Sequence, residues 1–183
     1  MQELTSEEFG VNTFSVSMEG EGKLSDEDMM RTFEHVSCHS VKLNIQSISD
    51  EFINTFIQVV NIGGLAQVHA ESAEIIERNT KKMLQNGVFG PEGFAMAHSV
   101  EAEEEAVMRA TTLANQVNCP LLVKSITSSS AADIVKNKKS RGNVLYAEVG
   151  PASLACDGSE YWNNCWNHAA VKHFPFMIFA FNN

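Results

Sequence analysis

Short β-branched runs that alternate with longer segments of helical period constrain this chain more than any other feature. "NTFSVSM" (12–18), "GLAQVH" (64–69), "PLLVKSI" (120–126) and "NVLYAEV" (143–149) read as strands. Between them lie helical segments. From Glu71 to Leu84 the apolar residues Ala73, Ile75, Ile76 and Met83 punctuate a polar stretch. From Val100 to Val117, Ala102, Ala106, Ala110, Leu113, Ala114 and Val117 fall three and four apart, on one face of a helix. Strand followed by helix, repeated, joins into right-handed βαβ units around a parallel sheet, so the class is α/β.

The helix starts are marked. Ser99 stands where an N-cap belongs, with Glu101, Glu103, Glu104 and Glu105 close to the positive end of the helix dipole. Ser130 with Asp133 offers a capping-box-like start for the next helix, which carries Ala131, Ile134 and Val135. The basic run "KNKKSR" (136–141) reads as the solvated end of that helix, where cations suit the dipole.

A chain of 183 residues buries one good core, which sets one domain or part of one as the expectation. A formal charge of −10 argues against a nucleic-acid partner, because phosphate binding needs clustered Lys and Arg. Apolar runs are too short to cross a bilayer, and "MQELTSEEFG" is acidic where a signal peptide would be basic and then apolar. A soluble, cytoplasmic protein with no membrane partner is expected. Cys38, Cys119, Cys156 and Cys165 show no C-x-x-C spacing and read as reduced thiols. Cys119, directly before Pro120, reads as the start of a buried strand, and no His-acid pair stands beside any cysteine to make it a nucleophile.

Two stretches break the alternation. The connection 19–62 is overlong and holds two similar starts, "LSDEDMMRTF" (24–33) and "ISDEFINTF" (48–56); a duplicated helix and a chance recurrence of a capping sequence both fit. The tail "KHFPFMIFAFNN" (172–183) alternates its phenylalanines as a final strand would, or is an unrelated ending whose apolar surface lacks a partner.

"GGLAQVHAESAEIIE", "NGVFGPEGF", "VEAEEEAVMRATTLANQVNCPLLV", "SSSAADIVKNKKSRGNVLYAE" and "ASLACDGSEYWNNCWNHAA", with "GVNTFSVSM" upstream, closely resemble consecutive blocks of the dihydropyrimidinase family, which includes the non-catalytic collapsin response mediator proteins. The resemblance implies part of an amidohydrolase-type (β/α)8 barrel, a TIM-type barrel with its site at the C-terminal strand ends. It corresponds to about four βα units, the fourth to seventh strands. The whole of 1–183 is then a single partial barrel domain, with an expanded connection at 19–62 and a divergent tail at 172–183.

Active members of that family are similar in holding two divalent ions through an H-x-H pair, a carboxylated lysine, two further histidines and an aspartate. The paired ions share a hydroxide that attacks a ring amide carbonyl. Carried over one position at a time, His69 in "AQVHAE" matches a metal-binding histidine. Ser15 in "GVNTFSVSM" stands at the bridging lysine's position and has no amine to carboxylate. Ser125 in "LLVKSITSSSAA" stands at the next metal histidine, with the cation Lys124 beside it. Gly20 aligns with a substrate-contacting tyrosine, and Ser153 in "ASLACDG" matches a substrate-binding serine. The H-x-H pair and the aspartate are not in the chain.

The resemblance therefore implies a non-catalytic, dihydropyrimidinase-related protein that acts through protein association, either self-association, as in tetrameric relatives, or joining with full-length family subunits. No cofactor is expected on that reading. The alternative is a zinc-dependent dihydropyrimidinase that opens a small cyclic amide, with His35 or His39 supplying further ligands. A rival metal site from Cys156, Cys165, His168 and His173 matches no zinc spacing. Tyr161, Trp162 and Trp166 read as core or subunit packing, and "GPEG" (90–93) as a turn.

Overall fold

A computed structural model describes residues 14–17, 38–44, 50–155, 158–165 and 167. Five strands form one sheet in the order β1 (Phe14–Ser17), β2 (Cys38–Asn44), β3 (Leu65–His69), β4 (Leu121–Ile126) and β5 (Leu145–Val149). All four pairings are parallel. The helices are α1 (Asp50–Asn61), α2 (Ala73–Gln85), α3 (Pro91–Ala97), α4 (Val100–Gln116), α5 (Ser129–Ser140) and the short α6 (Pro151–Ala155), followed by a 3-10 turn at Gly158–Trp162.

Spatial order equals chain order. With crossovers of one hand, that order puts the helices on one face of the sheet, as in a barrel wall, whereas a doubly wound sheet reverses direction and covers both faces. Burial follows the pleat. Ala66 and Val68 of β3 and Leu121 and Val123 of β4 are buried, while their neighbours Leu65, Gln67, His69, Leu122 and Lys124 are half-exposed. The first set meets the helices; the second faces the open side.

The covered side is one apolar core. Helix α1 packs on β3 and α4, α4 on β4 and α5, and α5 on β5. The alanines 102, 106, 110 and 114 of α4 are fully buried, and their small side chains let the helix axis approach the sheet. Phe56 and Val59 from α1, Val107 from α4 and Ile126 from β4 fill the space between. Thr111 is fully buried too, and its hydroxyl is satisfied by donating to the Val107 carbonyl of its own helix at 2.8 Å.

Three sequence expectations need adjustment. The connection 19–62 contains a strand, β2, so the sheet has five strands where four were read. "CHSVKLN" alternates only Val41 and Leu43 with polar residues, a signal too short to separate from a loop. Helix α2 forms as its period predicted, but none of its residues is buried, because it lies against α2's neighbours α3 and α4 and away from the sheet. The N-cap of α5 is Ser128, whose Oγ accepts from the Ala131 N–H at 3.2 Å; Ser130 and Asp133 lie inside the helix.

One further expectation is overturned: "GPEG" (90–93) is a helix start, with Gly90 as the N-cap of α3 and Pro91, Glu92 and Gly93 in its first turn. The expectations for the ends of α4 and α5 hold. Ser99 is the N-cap of α4, in extended conformation. Lys138 and Lys139 sit in the last turn of α5, and Lys138 Nζ donates to Thr112 Oγ1 of α4 at 2.9 Å. The second repeated start, 48–56, opens α1. The first, 24–33, and the tail 172–183 lie outside the described residues. Among the described residues no helix is long and apolar enough to cross a membrane.

Candidate functional site

The C-terminal ends of the strands form a rim on the open side. Register aligns Asn44 of β2 with His69 of β3, and His69 with Lys124 of β4. Lys124 Nζ lies 3.8 Å from Glu148 Oε2 on β5. The cation beside the histidine is therefore held by a carboxylate on the side away from it.

His69 is fixed by a carboxylate. Its Nε2 lies 3.2 Å from Glu71 Oε2, and His98 Nδ1, at the end of α3, lies 3.0 Å from Glu71 Oε1. Glu71 thus joins the end of β3 to the turn before α4. Burial pushes this carboxyl up, but the two imidazole bonds outweigh burial and hold it down at about 2. Phe94 stacks on His98 with centroids 4.1 Å apart, and on Tyr161 at 6.2 Å. Tyr161 is buried, as expected for core packing, and burial raises its phenol. Trp162 meets Tyr161 edge-on and is exposed; Trp166 lies outside the described residues.

Ser125 occupies an unusual backbone. Its φ is +57°, and the β4–β5 register shifts between Val123 and Ile126. This β-bulge ends the strand's regular alternation at the rim. Glu103 of α4, only 5% exposed, reaches the turn that follows: Oε1 accepts from Thr127 N at 2.8 Å and Thr127 Oγ1 at 3.2 Å, while Oε2 accepts from Ser128 N at 2.9 Å and from Ser128 Oγ. Burial raises the Glu103 carboxyl, and these donors pull it part of the way back. The sequence placed Glu103 only as a charge near the start of a helix; its burial and its partners were not readable from spacing.

Ser153, in α6, is buried, and its backbone N–H donates to the Gly150 carbonyl at 3.0 Å. Cys119 is buried at the entry to β4, and burial pushes its thiol up to about 11 in spite of a backbone hydrogen bond from Ala66. It is no nucleophile near neutral pH. Of the rival metal set, Cys165 is exposed, and Cys156, His168 and His173 lie outside the described residues, as do Gly20 and His35.

Ser15 sits on β1, two strands away from His69, paired with Ser40, which in turn pairs with Leu65. The strand beside β3 is β2, and it carries Lys42, paired with Gln67 two residues before the rim. Sequence reasoning missed Lys42. The signal was present in the repeated Ser-Asp-Glu starts: each follows a short strand, and the second of those strands holds the lysine. His39 belongs to the beginning of β2, whereas His69 pairs with its last residue. Five residues of strand separate those levels by roughly 16 Å.

The described residues do not by themselves make a paired-zinc centre. Among the described residues no group of three or more His, Cys, Asp or Glu side chains is arranged to hold a metal ion. Glu71 lies between two imidazoles, one on each oxygen, so the three groups do not converge on a common point. A zinc site built by protein takes three or four side-chain ligands. A hollow of about 620 Å³ along α2, lined by Glu74, Glu77, Arg78 and Lys81 among others, contains no rim residue.

No family model matches the chain. It is 45% identical over 115 residues to the rat protein named dihydropyrimidinase, covering 63% of this chain and 22% of that one. It is 36% identical over 121 residues to mouse dihydropyrimidinase-related protein 5, covering 66% of this chain and 22% of that one. The fold superposes on D-hydantoinase from a Bacillus species with a TM-score of 0.78 and 26% identity, covering 86% of this chain and 36% of that one. The chain thus spans about a fifth of the length of these curated relatives.

Proposed function

Because this chain belongs to the dihydropyrimidinase and dihydropyrimidinase-related family of the amidohydrolase superfamily, we propose that it is a non-catalytic member acting through protein association. Ser125 carries this reading: a serine in a left-handed bulge stands at the position that the family resemblance gives to a metal histidine. Hydrolysis of a cyclic amide by paired metal ions needs the full ligand set, because each lost ligand weakens both the metal site and its hold on hydroxide.

The open sheet supports the association half. Tyr146, Ala147 and Glu148 of β5 are exposed, and Val144, Leu154 and Trp162 add apolar surface on the same stretch of chain. Among the described residues no strand pairs with the outer edge of β5, and such an edge is a template for another strand. The partner is a second copy or a full-length subunit of the family. Sedimentation of the purified chain, alone and with a full-length family member, tests this: dimers or larger assemblies are expected, and a monomer that also ignores the full-length subunit contradicts it.

The second reading is a zinc-dependent dihydropyrimidinase in the cytoplasm, with Ser153 contacting a dihydropyrimidine. Lys42 favours it, since a lysine stands on the strand beside β3, paired with Gln67, whereas Ser15 stands one strand further away. It requires ligands beyond His69 and Lys42, and Ser125 does not provide one.

A further inference from the structure

Strand β4 contains a burial anomaly that its sequence alternation alone would not produce. Leu121 and Val123 are buried and Leu122 is half-exposed, so strict alternation would place Ser125 on the covered side and Ile126 on the open side. Instead Lys124 and Ser125 are both half-exposed and Ile126 is fully buried. From Val123 to Ile126 the strand advances three residues while β5 advances two, from Ala147 to Val149. The extra residue is accommodated at Ser125, φ +57°. A non-glycine residue is disfavoured in that region by about five- to thirtyfold.

We propose that Glu103 is a positioning residue whose carboxylate, gripping Thr127 and Ser128, holds Ser125 in the left-handed bulge and so keeps Ile126 in the core. The two bonds to Thr127 are the telling ones. Ser128 already caps α5 through the Ala131 N–H, and capping alone gives Glu103 no reason to bind both the N–H and the hydroxyl of the residue before it. Those bonds fix the chain two residues beyond the bulge. Ile126 lies between, anchored at 0% exposure among the helices. With both ends of the segment pinned, the chain has no slack to relax Ser125 into an extended conformation. A carboxylate suits the task because all four partners are donors. An amide would turn an NH2 toward one of the two pairs.

The test uses glycine and alanine at position 125 as a gauge of backbone conformation. Glycine adopts a left-handed φ without penalty, whereas alanine is favoured wherever φ is negative because it restricts the unfolded chain. In the full chain, Ser125→Gly is expected to exceed Ser125→Ala in folding equilibrium constant by about fivefold. Combined with Glu103→Gln the order reverses, and amide exchange at Thr127 and Ser128 quickens about tenfold. A glycine advantage that persists unchanged beside Glu103→Gln overturns the proposal, as does alanine outranking glycine in the otherwise unaltered chain. If Glu103→Gln prevents folding, Thr127→Val combined with Ser128→Ala replaces it, removing two of the same bonds from the other side, and the same reversal is required.

Discussion

The two faces of the sheet follow different rules although the same strands build both. On the covered face Ala66, Val68, Leu121 and Val123 are packed against α1 and α4 with almost no exposure. On the open face Gln67, His69, Leu122 and Lys124 stay half-exposed, and β5 adds Tyr146 and Glu148, each about half accessible. The covered face holds the fold together. The open face carries the rim, with a carboxylate-locked histidine, an ion pair and a serine.

The sharpest way to break this comparison is to truncate adjacent leucines. Leu121→Ala is expected to destabilise the chain by about 2–5 kcal/mol, since it leaves a cavity under α4. Leu122→Ala, one residue on and facing the other way, is expected to cost less than about 1 kcal/mol. Urea unfolding of both variants measures the difference. Equal losses would mean that the second face is covered in solution, either by another copy or by the chain itself.

A smaller effect probes the rim. Glu71 is held at about 2 in the folded chain against an ordinary value of 4.5. A depressed carboxyl stabilises the fold above its unfolded value, and that contribution disappears as pH falls through the folded one. Stability on the order of 3 kcal/mol should therefore be lost between about pH 4.5 and pH 2. Replacing His98 by alanine should shrink that loss and leave the stability near pH 7 less dependent on Glu71. Unfolding curves across this range, with and without the His98 change, decide it.

The smallest expected stability change is at the edge. Tyr146→Lys should alter unfolding free energy by less than about 0.5 kcal/mol, yet a charge on an open strand edge opposes pairing. It is expected to shift the chain toward monomer in sedimentation, at least tenfold in dissociation constant. Unchanged assembly would move the association surface away from β5.

Legibility followed the length of the pattern. The alanine stripe of α4 repeats over four turns and announced both the helix and its buried face. β3 and β4 were announced by β-branched and leucine runs that helices and glycines bound on either side. β2 has two apolar positions only, so the strand that stands beside β3, and Lys42 on it, went unread. The resemblance brought His69, Ser125 and Ser153 forward as positions. It did not show that Glu71 lies between two histidines, because His98 is 27 residues distant and on another element. Glu103 was equally hidden, since a buried glutamate and a solvated one look alike where four of five residues, 101–105, are acidic. Such contacts depend on where the loops return, which periodicity does not encode.

Metal analysis of the purified chain, paired with an assay on dihydrouracil, decides whether the rim is catalytic. A non-catalytic chain retains substoichiometric zinc after dialysis and gives no hydrolysis above the uncatalysed rate. Two tightly held zinc ions per chain, with turnover that disappears in the His69→Ala variant, would contradict the non-catalytic reading.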